Sequence, residues 1–265
     1  MFDSHCHFEP GRDIAGELAR AREAGLTGLL AVGGSPEADA GAAAAAALAP
    51  GFALAAYGID RDAADTIDGP ADLARRMDAL EATLRESGAA AIGEIALDYS
   101  HGEDAAARVR QRALFAAQLR LAAKRALPCS IHSRNAEADT LALLRENLSP
   151  DLAAAGRAGS LHCFVGSAEF AAALAPLGLC FGLSGIVTFR SADALRAVVP
   201  LLPRDRILAE TDSPYLAPVP LRGRPCEPAF VVHTARRVAA LLGLPEADAS
   251  ALFDANARRL FSPSA

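Results

Sequence analysis

The sequence contains no tryptophan, and aromatic residues make up only 5% of its 265 positions. Lysine and arginine number 26 against 32 aspartate and glutamate residues, so the formal net charge is −6. An acidic chain has no overall field that attracts nucleic acid, and an anionic substrate must therefore be held by a local basic group or by a metal ion. Composition lowers the expectation of nucleic-acid binding but does not exclude it.

Cysteine is scarce and forms no disulfide pattern. The five cysteines are odd in number and include no CxxC pair, which predicts a reducing compartment, the cytoplasm. Cys6 and Cys163 each neighbour a candidate histidine but alternate away from it along a strand, so we interpret them as small buried apolar residues. The five are Cys6, Cys129, Cys163, Cys180 and Cys226.

Long apolar runs are also few. The uncharged stretch 41–59 is mostly alanine and is interrupted by Pro50-Gly51, so it predicts a helix end, a turn and a strand rather than a membrane span. The first residues include Asp3 and His5, where a signal peptide needs a basic and then an apolar run. We therefore expect a cytoplasmic protein with no membrane association.

Hydrophobic residues nevertheless make up 52% of the chain, enough for a sizeable core. Apolar strand-like runs alternate with helical segments eight times without a linker or a repeat, which predicts an α/β fold, a single (β/α)8 TIM barrel over residues 1–265. The alternative is an open doubly wound sheet, but the first strand–helix turn lacks the glycine-rich phosphate loop usual in such folds. The predicted strands are Met1–Cys6, Gly28–Val32, Phe52–Gly58, Ala89–Gly93, Pro128–Ile131, Ser160–Leu161, Leu179–Phe181 and Ile207–Ala209.

The first predicted strand ends in two histidines. Alternate side chains of a strand share a face, so Asp3, His5 and His7 point the same way. Two imidazoles in this arrangement can bind one metal ion from the same side. Histidines that only satisfy hydrogen bonds in the core are the alternative, and the choice depends on whether other strands supply further ligands.

Other predicted strands are followed directly by polar residues of the same kind. In a barrel, the chemistry lies at the carboxyl ends of the strands, so these residues are expected to meet there. They are too many for one ion that also holds water, and they suit two divalent ions bridged by Glu94, whose two oxygens can serve two ions. The histidine content favours zinc or manganese over magnesium. The candidate ligands are His5, His7, Glu94, His132, His162 and Asp212.

Five segments together resemble the TatD family of metal-dependent hydrolases, within the amidohydrolase superfamily. With Asn256–Phe261, which is similar to the end of that family, the resemblance covers essentially the whole chain. The most specific segment is the one that begins at Glu210. The segments are 3–7 (DSHCH), 93–99 (GEIALDY), 131–134 (IHSR), 162–164 (HCF) and 210–218 (ETDSPYLAP), the last followed by Arg222-Gly223 and Glu227-Pro228.

The resemblance implies a TIM-type barrel with two divalent ions and a deoxyribonuclease that trims DNA from its 3′ end. It further implies that one ion is held by His5, His7, Glu94 and Asp212. The second ion would be held by Glu94, His132 and His162. Water activated by the ions would be the nucleophile, with Asp212 as the proton carrier and Glu94 as the bridging group.

Two departures from the family pattern affect the substrate side. Gly58-Ile59-Asp60-Arg61 stands where the family usually has Gly-x-His-Pro, so a carboxylate replaces a histidine that can meet a phosphate. Pro225-Cys226 stands where Arg-Asn is usual before the glutamate. These changes leave the predicted metal ligands intact and alter the predicted substrate contacts.

Four residues are candidate substrate contacts: Arg134, Arg222, Tyr99 and Asp60. The arginines could neutralise phosphate charge, with surface salt bridges as the alternative. Tyr99 could stack on a base or simply cover the barrel mouth. Asp60 could meet a free amino group.

Three functions follow from these residues. The first is a metal-dependent 3′-5′ exodeoxyribonuclease with a nucleic acid as its partner, DNA first and tRNA second. The second is an ester or amide hydrolase on the same metals, such as a D-aminoacyl-tRNA deacylase, which Asp60 favours. The third is a metal-binding protein without enzymatic activity. The oligomeric state is left open.

Overall fold

Eight parallel strands form one sheet in the order in which they occur in the chain. The protein is represented by a computed structural model, which describes residues 1–102 and 104–261, and the strand count refers to this part. The strands are β1 Phe2–Cys6, β2 Gly28–Gly34, β3 Ala53–Ile59, β4 Ala91–Asp98, β5 Cys129–Arg134, β6 Gly159–Leu161, β7 Leu179–Leu183 and β8 Ile207–Ala209.

The two edges of the sheet meet where the chain leaves β1 and β8. The backbone N–H of Asp212 donates to the carbonyl of His5 at 2.9 Å, and the N–H of His7 donates to the carbonyl of Ser213 at 2.7 Å. The sheet is therefore a nearly closed barrel, and the predicted TIM-barrel fold is confirmed. The open doubly wound alternative is wrong.

Helices connect successive strands and begin at sequence signals that the chain supplies. Asp13 and Ser35 accept hydrogen bonds from N–H groups in the first turns of the first two helices, and Pro36 opens the second. Across the described residues the helices are α1 Ile14–Glu23, α2 Pro36–Leu48, α3 Gly69–Ser87, α4 Ala105–Arg125, α5 Glu137–Asn147, α6 Pro150–Ala154, α7 Ala168–Leu174, α8 Asp193–Val198, α9 Val231–Leu242 and α10 Glu246–Phe261.

The last helix, α10, covers the end of the barrel opposite the candidate site. The rings of Phe2 and Phe261 stack with centroids 6.3 Å apart. The buried amide of Asn256 donates to the carbonyls of Arg204 and Ile207, each at 2.9 Å, and so ties α10 to the start of β8. The core therefore continues from the barrel interior to α10. No helix in the described part of the chain has the length and apolar character needed to cross a bilayer.

Several predicted boundaries need correction. Strands β4 and β5 run further than predicted, to Asp98 and Arg134, so Glu94 and His132 lie within strands rather than after them. The register of β4 against β5 shifts between Ile92 and Ile95, beside Glu94. Helix α6 was not predicted. Of the predicted domain 1–265, residues 103 and 262–265 lie outside the described part.

Candidate metal centre

The six predicted ligands converge at the carboxyl ends of the strands. Ligand atoms within each of three groups lie within 4.8 Å of one another. The groups share members, so they form one continuous cluster that holds five of the six predicted ligands, and the sixth, His132, adjoins it through His162. They are His5, His7 and Asp212; His5, Glu94 and His162; and His162, Cys163 and Asp212.

His5 and His7 turn the same nitrogen atom to the centre. Their Nε2 atoms are 3.0 Å apart. Nδ1 of His7 lies 2.8 Å from the carbonyl oxygen of Val32, and Nδ1 of His5 lies 2.9 Å from Oγ of Ser130. A carbonyl only accepts hydrogen bonds, so in the neutral ring Nδ1 of His7 carries the proton and Nε2 keeps a lone pair. Metal-binding histidines typically have such a second contact.

His132 and His162 form a second pair beside the first. Nδ1 of His132 is 3.1 Å from Nε2 of His162, so these two rings present different nitrogens. Nε2 of His132 lies 3.2 Å from Oδ2 of Asp98. Nδ1 of His162 is buried without a hydrogen bond, 3.8 Å from Oε1 of the buried Glu210. The rings of His5 and His162 stack at 3.9 Å, which joins the two pairs.

Glu94 stands between the two pairs and gives one oxygen to each. Its Oε1 is 3.1 Å from Nε2 of His162 and 3.5 Å from Nδ1 of His132. Its Oε2 is 3.5 Å from Nε2 of His7 and 3.7 Å from Nε2 of His5. The two carboxylate oxygens thus face two separate pairs of imidazoles.

Asp212 approaches the first pair from the segment after β8. Its Oδ1 lies 3.7 Å from Nε2 of His7 and 3.9 Å from Nε2 of His5. Its backbone has a φ of 58°, in the left-handed region that aspartate tolerates better than most residues. Asp3 fixes the preceding residue, because its oxygens accept from N–H and Oγ of Thr211 at 2.9 and 2.6 Å. Asp3 therefore positions the segment that carries Asp212.

The protein groups alone leave this buried site short of positive charge. Burial would raise the pKa of Glu94, but His162, His7 and His5 outweigh it and hold that pKa well below its usual range. Burial would lower the pKa of His162, but Glu94, Asp212 and Glu210 raise it to about 9. The proton on His162 therefore offsets the negative charge of these carboxylates, and a divalent cation can replace that proton. Imidazole nitrogens with carboxylate oxygens are a donor set that suits zinc and manganese, so the residues fit the predicted ions.

Three supporting residues were not identified from the sequence: Asp98, Glu210 and Ser130. Spacing could have found two of them, because Asp98 lies four residues after Glu94 on one strand, and Glu210 lies two residues before Asp212. Burial raises the pKa of Glu210 to about 7. Its carboxylate accepts hydrogen bonds from N–H of Cys163 and Oγ of Ser4.

The interpretation of Cys163 is wrong, whereas that of Cys6 is confirmed. The chain leaves the extended conformation at Cys163, where φ is 45°, so strand alternation no longer applies. Its Sγ lies 3.5 Å from Oδ2 of Asp212. Cys6 is fully buried, and its thiol donates to the carbonyl of Leu30.

The predicted substrate contacts occupy different places around the cluster. Arg134 is exposed and lines a pocket of about 440 Å³ together with His162. Asp60 lines a second pocket, of about 430 Å³, together with His7 and Glu94. Burial and the charge of Glu94 raise the pKa of Asp60 to about 6.

The other two candidates make contacts within the protein. The guanidinium of Arg222 stacks on the ring of Phe189 at 3.9 Å and donates to the carbonyl of Ala217. The hydroxyl of Tyr99 donates to Asp139 at 2.8 Å. Their roles toward a substrate stay predictions.

The chain is similar to known proteins over nearly its whole length. A family model described as TatD related DNase matches residues 2–262. The 3'-5' ssDNA/RNA exonuclease TatD of Dickeya dadantii is 38% identical over 252 residues, which cover 93% of this chain and 90% of that protein. The uncharacterized metal-dependent hydrolase YcfH of Escherichia coli K12 is 42% identical over 176 residues, 66% of this chain and 64% of that protein. The matched region thus spans less than two thirds of YcfH.

A solved structure with the same fold supports the same relationship. The crystal structure of YJJV, a TatD homolog from Escherichia coli K12, aligns with a TM-score of 0.85 at 28% identity. The alignment covers 100% of this chain and 98% of that one.

Proposed function

The chain belongs to the TatD-related DNase family of metal-dependent hydrolases, and from this premise we propose that it removes nucleotides from the 3′ end of single-stranded DNA. The relative in Dickeya dadantii that matches 93% of the chain carries the name 3'-5' ssDNA/RNA exonuclease. That name supports a nucleic-acid substrate for this chain.

The position of Glu94 is the observation that carries the proposal. One of its oxygens faces His5 and His7 and the other faces His132 and His162, which is the arrangement expected of a group shared by two ions. With Asp212, these residues would hold two divalent ions, zinc or manganese before magnesium. Ions held there would supply Lewis-acid activation of water and neutralise charge on the phosphoryl oxygens.

The protein groups then have separate tasks in the hydrolysis. Water attacks phosphorus, a bond forms between the water oxygen and phosphorus, and the bond from phosphorus to the 3′ oxygen of the shortened chain breaks. Asp212 takes the proton from the water and returns it to the leaving 3′ oxygen. Arg134, exposed at the edge of its pocket, pairs with a phosphate of the retained chain.

The first test combines metal content with cleavage. Protein loaded with manganese or zinc is given single-stranded DNA labelled at its 5′ end, beside the variants Asp212→Asn and Glu94→Gln. We expect two ions per chain, a ladder of shortened products, no ladder from Asp212→Asn, and a lower content of both ions in Glu94→Gln. Asp205→Asn, which changes an exposed carboxylate, is the matched control and should behave as the wild type. Two bound ions without cleavage would refute the nuclease function.

A second candidate is hydrolysis of an ester or amide that carries a free amino group, such as an aminoacyl ester of tRNA. The carboxylate of Asp60, in the pocket beside His7 and Glu94, favours it because it could pair with an ammonium group. Metal-dependent release of the amino acid from aminoacyl-tRNA, without shortening of DNA, would support this candidate over the first.

A further inference from the structure

The pocket that contains Asp60 is lined by four carboxylates and borders the candidate metal centre. We call it the acidic pocket, and its ionisable lining residues are His7, Glu9, Glu37, Asp60, Glu94 and Tyr215. Its volume of about 430 Å³ is within the range of small-molecule sites. His7 and Glu94 are candidate metal ligands, so a group in this pocket is adjacent to the scissile bond.

The charges of the acidic pocket have one sign. Glu9, Glu37 and Asp60 add three carboxylates to the metal-facing Glu94, and among the described residues that line the pocket there is no lysine or arginine. The neighbouring Arg61 turns its guanidinium to Asp62 and Asp98, at 3.4 and 3.8 Å. Away from the wall formed by the candidate metal ligands, a phosphate in this pocket would meet the carboxylates of Glu9, Glu37 and Asp60, and like charges placed together disfavour such a partner.

One aromatic ring lies at the mouth of the same pocket. Tyr215 is 55% exposed, and its hydroxyl donates to Oε1 of Glu9 at 2.7 Å, which holds the ring in place. The ring makes an edge contact with His7 at 6.4 Å between centroids. An exposed ring held beside a cleavage site is a platform on which a base can stack, and stacking does not depend on phosphate contacts.

The pocket on the other side of the centre has a different character. It contains one carboxylate, Glu137, but also Arg134, Ser133 and Asn135, whose side chains can donate hydrogen bonds to phosphate oxygens. A single strand bound across the centre therefore has one side that accepts further phosphates and one that does not.

We propose that the acidic pocket binds the terminal nucleoside of the substrate, with its base on Tyr215, and admits only an end with a free 3′ hydroxyl. A terminal 3′ phosphate would place two extra negative charges among Glu9, Glu37 and Asp60. The same repulsion prevents a longer chain from running through the pocket, which makes cleavage exonucleolytic. This inference rests on the proposed nuclease function and adds to it a requirement for a DNA strand that ends in a free 3′ hydroxyl.

The test compares two otherwise identical 5′-labelled oligonucleotides, one with a 3′ hydroxyl and one with a 3′ phosphate. We expect the metal-loaded enzyme to cleave the hydroxyl end at least about tenfold faster, because like charges oppose the phosphate. Asp60→Asn and Glu37→Gln should each reduce this ratio, and the double variant should reduce it further. Asp62→Asn, on the same loop with an exposed side chain, is the matched control and should keep the ratio.

The variants separate this proposal from simple capture of the metals by the 3′ phosphate. Capture would also slow cleavage of the phosphorylated end, but it would not respond to Asp60→Asn or Glu37→Gln. Added salt should also reduce the ratio, because the carboxylates act through a screened field. Equal rates on the two ends, or a ratio that the variants leave unchanged, would overturn the proposal.

A binding measurement tests the pocket without relying on turnover. By calorimetry with the metal-loaded protein, a deoxynucleoside 5′-monophosphate should bind at least about tenfold more tightly than the corresponding 3′,5′-bisphosphate. Tyr215→Leu should lower the affinity for the monophosphate, whereas Tyr215→Phe, which keeps the ring, should retain most of that affinity. If DNA is not cleaved but the bisphosphate still binds more weakly, the nuclease function fails and the selectivity of the pocket stands. Equal affinity for the two nucleotides overturns the pocket proposal alone.

Discussion

Nε2 of His132 lies 3.2 Å from Oδ2 of Asp98, and this contact determines which nitrogen of the ring faces the centre. A carboxylate only accepts hydrogen bonds, so Nε2 carries the proton and Nδ1, 3.5 Å from Oε1 of Glu94, keeps its lone pair. The other oxygen of Asp98 accepts from N–H and Oγ of Ser100 at 2.8 and 2.6 Å, which fixes the carboxylate. Asp98 therefore sets the tautomer that can bind a metal.

Asp98→Asn tests this control of the tautomer. An amide nitrogen facing Nε2 would move the ring proton to Nδ1 and block that atom as a ligand. We expect about a 10–100-fold loss of affinity for one ion of the pair, the usual effect of removing such a partner. Titration with a metal indicator measures it. Asp139→Asn, which removes the partner of Tyr99, should leave both affinities unchanged, and an unchanged Asp98→Asn would contradict the assignment.

Removing the ions should destabilise the fold. A ligand at about 100 times its dissociation constant adds about 2.7 kcal/mol to the free energy of unfolding for each site. For a chain of this size that is a rise in Tm of about 5–10 °C for each occupied site when manganese is added to chelator-treated protein. Differential scanning fluorimetry measures it. Glu94→Gln should show a smaller rise, and an equal rise would mean that Glu94 does not contact the ions.

The carboxylate of Glu210 occupies the space that a side chain at position 182 would need, so this position requires glycine. A methyl group on residue 182 would lie 2.0 Å from Oε2 of Glu210, so Gly182→Ala should displace that carboxylate and cost about 1–3 kcal/mol of stability. If Glu210→Ala is made first, the added methyl enters vacated space and costs little. Urea unfolding of the two single variants and the double variant gives the coupling energy. Additive effects would contradict the clash.

The amide of Asn256 should contribute to stability and not to activity. Asn256→Leu leaves the carbonyls of Arg204 and Ile207 without their donor, which should cost about 1–3 kcal/mol. Urea unfolding measures the loss, and kcat/KM per folded molecule should stay unchanged. Asn147→Leu, on helix α5, removes a bond to the carbonyl of Leu143 and should cost less than about 0.5 kcal/mol. Equal losses in the two variants would contradict the buried role of Asn256.

The barrel and the approach of the candidate ligands could be predicted because both follow from local patterns. Parallel strands are apolar runs, and the polar residues that end them must meet at one end of the barrel, as His5, His162 and Asp212 do. Of the supporting residues, Ser130 depends on a contact between distant strands, which no local pattern encodes. The bond from Ser130 to His5, for example, joins residues 125 positions apart.

The rule that side chains alternate along a strand failed where the backbone leaves the extended conformation. Alternation predicted that Cys163 faces away from its neighbour His162, but it assumes an extended backbone. The chain turns at Cys163, where φ is 45°, and brings the thiol to Asp212. Strands β4 and β5 extend beyond their predicted ends together, paired from Ile95 with Ile131 to Asp98 with Arg134, and this pairing joins segments that are distant in the sequence.

The backbone bonds that join His5 to Asp212 and His7 to Ser213 link segments more than 200 positions apart. A ribosome adds about 5–20 residues each second, so the first two histidines are made about 10–40 s before the aspartate that completes their group. During that interval the nascent chain carries an incomplete set of donors. With the proposed ligands, tight metal capture would come late in the maturation of this protein, and it would report that the ring of strands has closed.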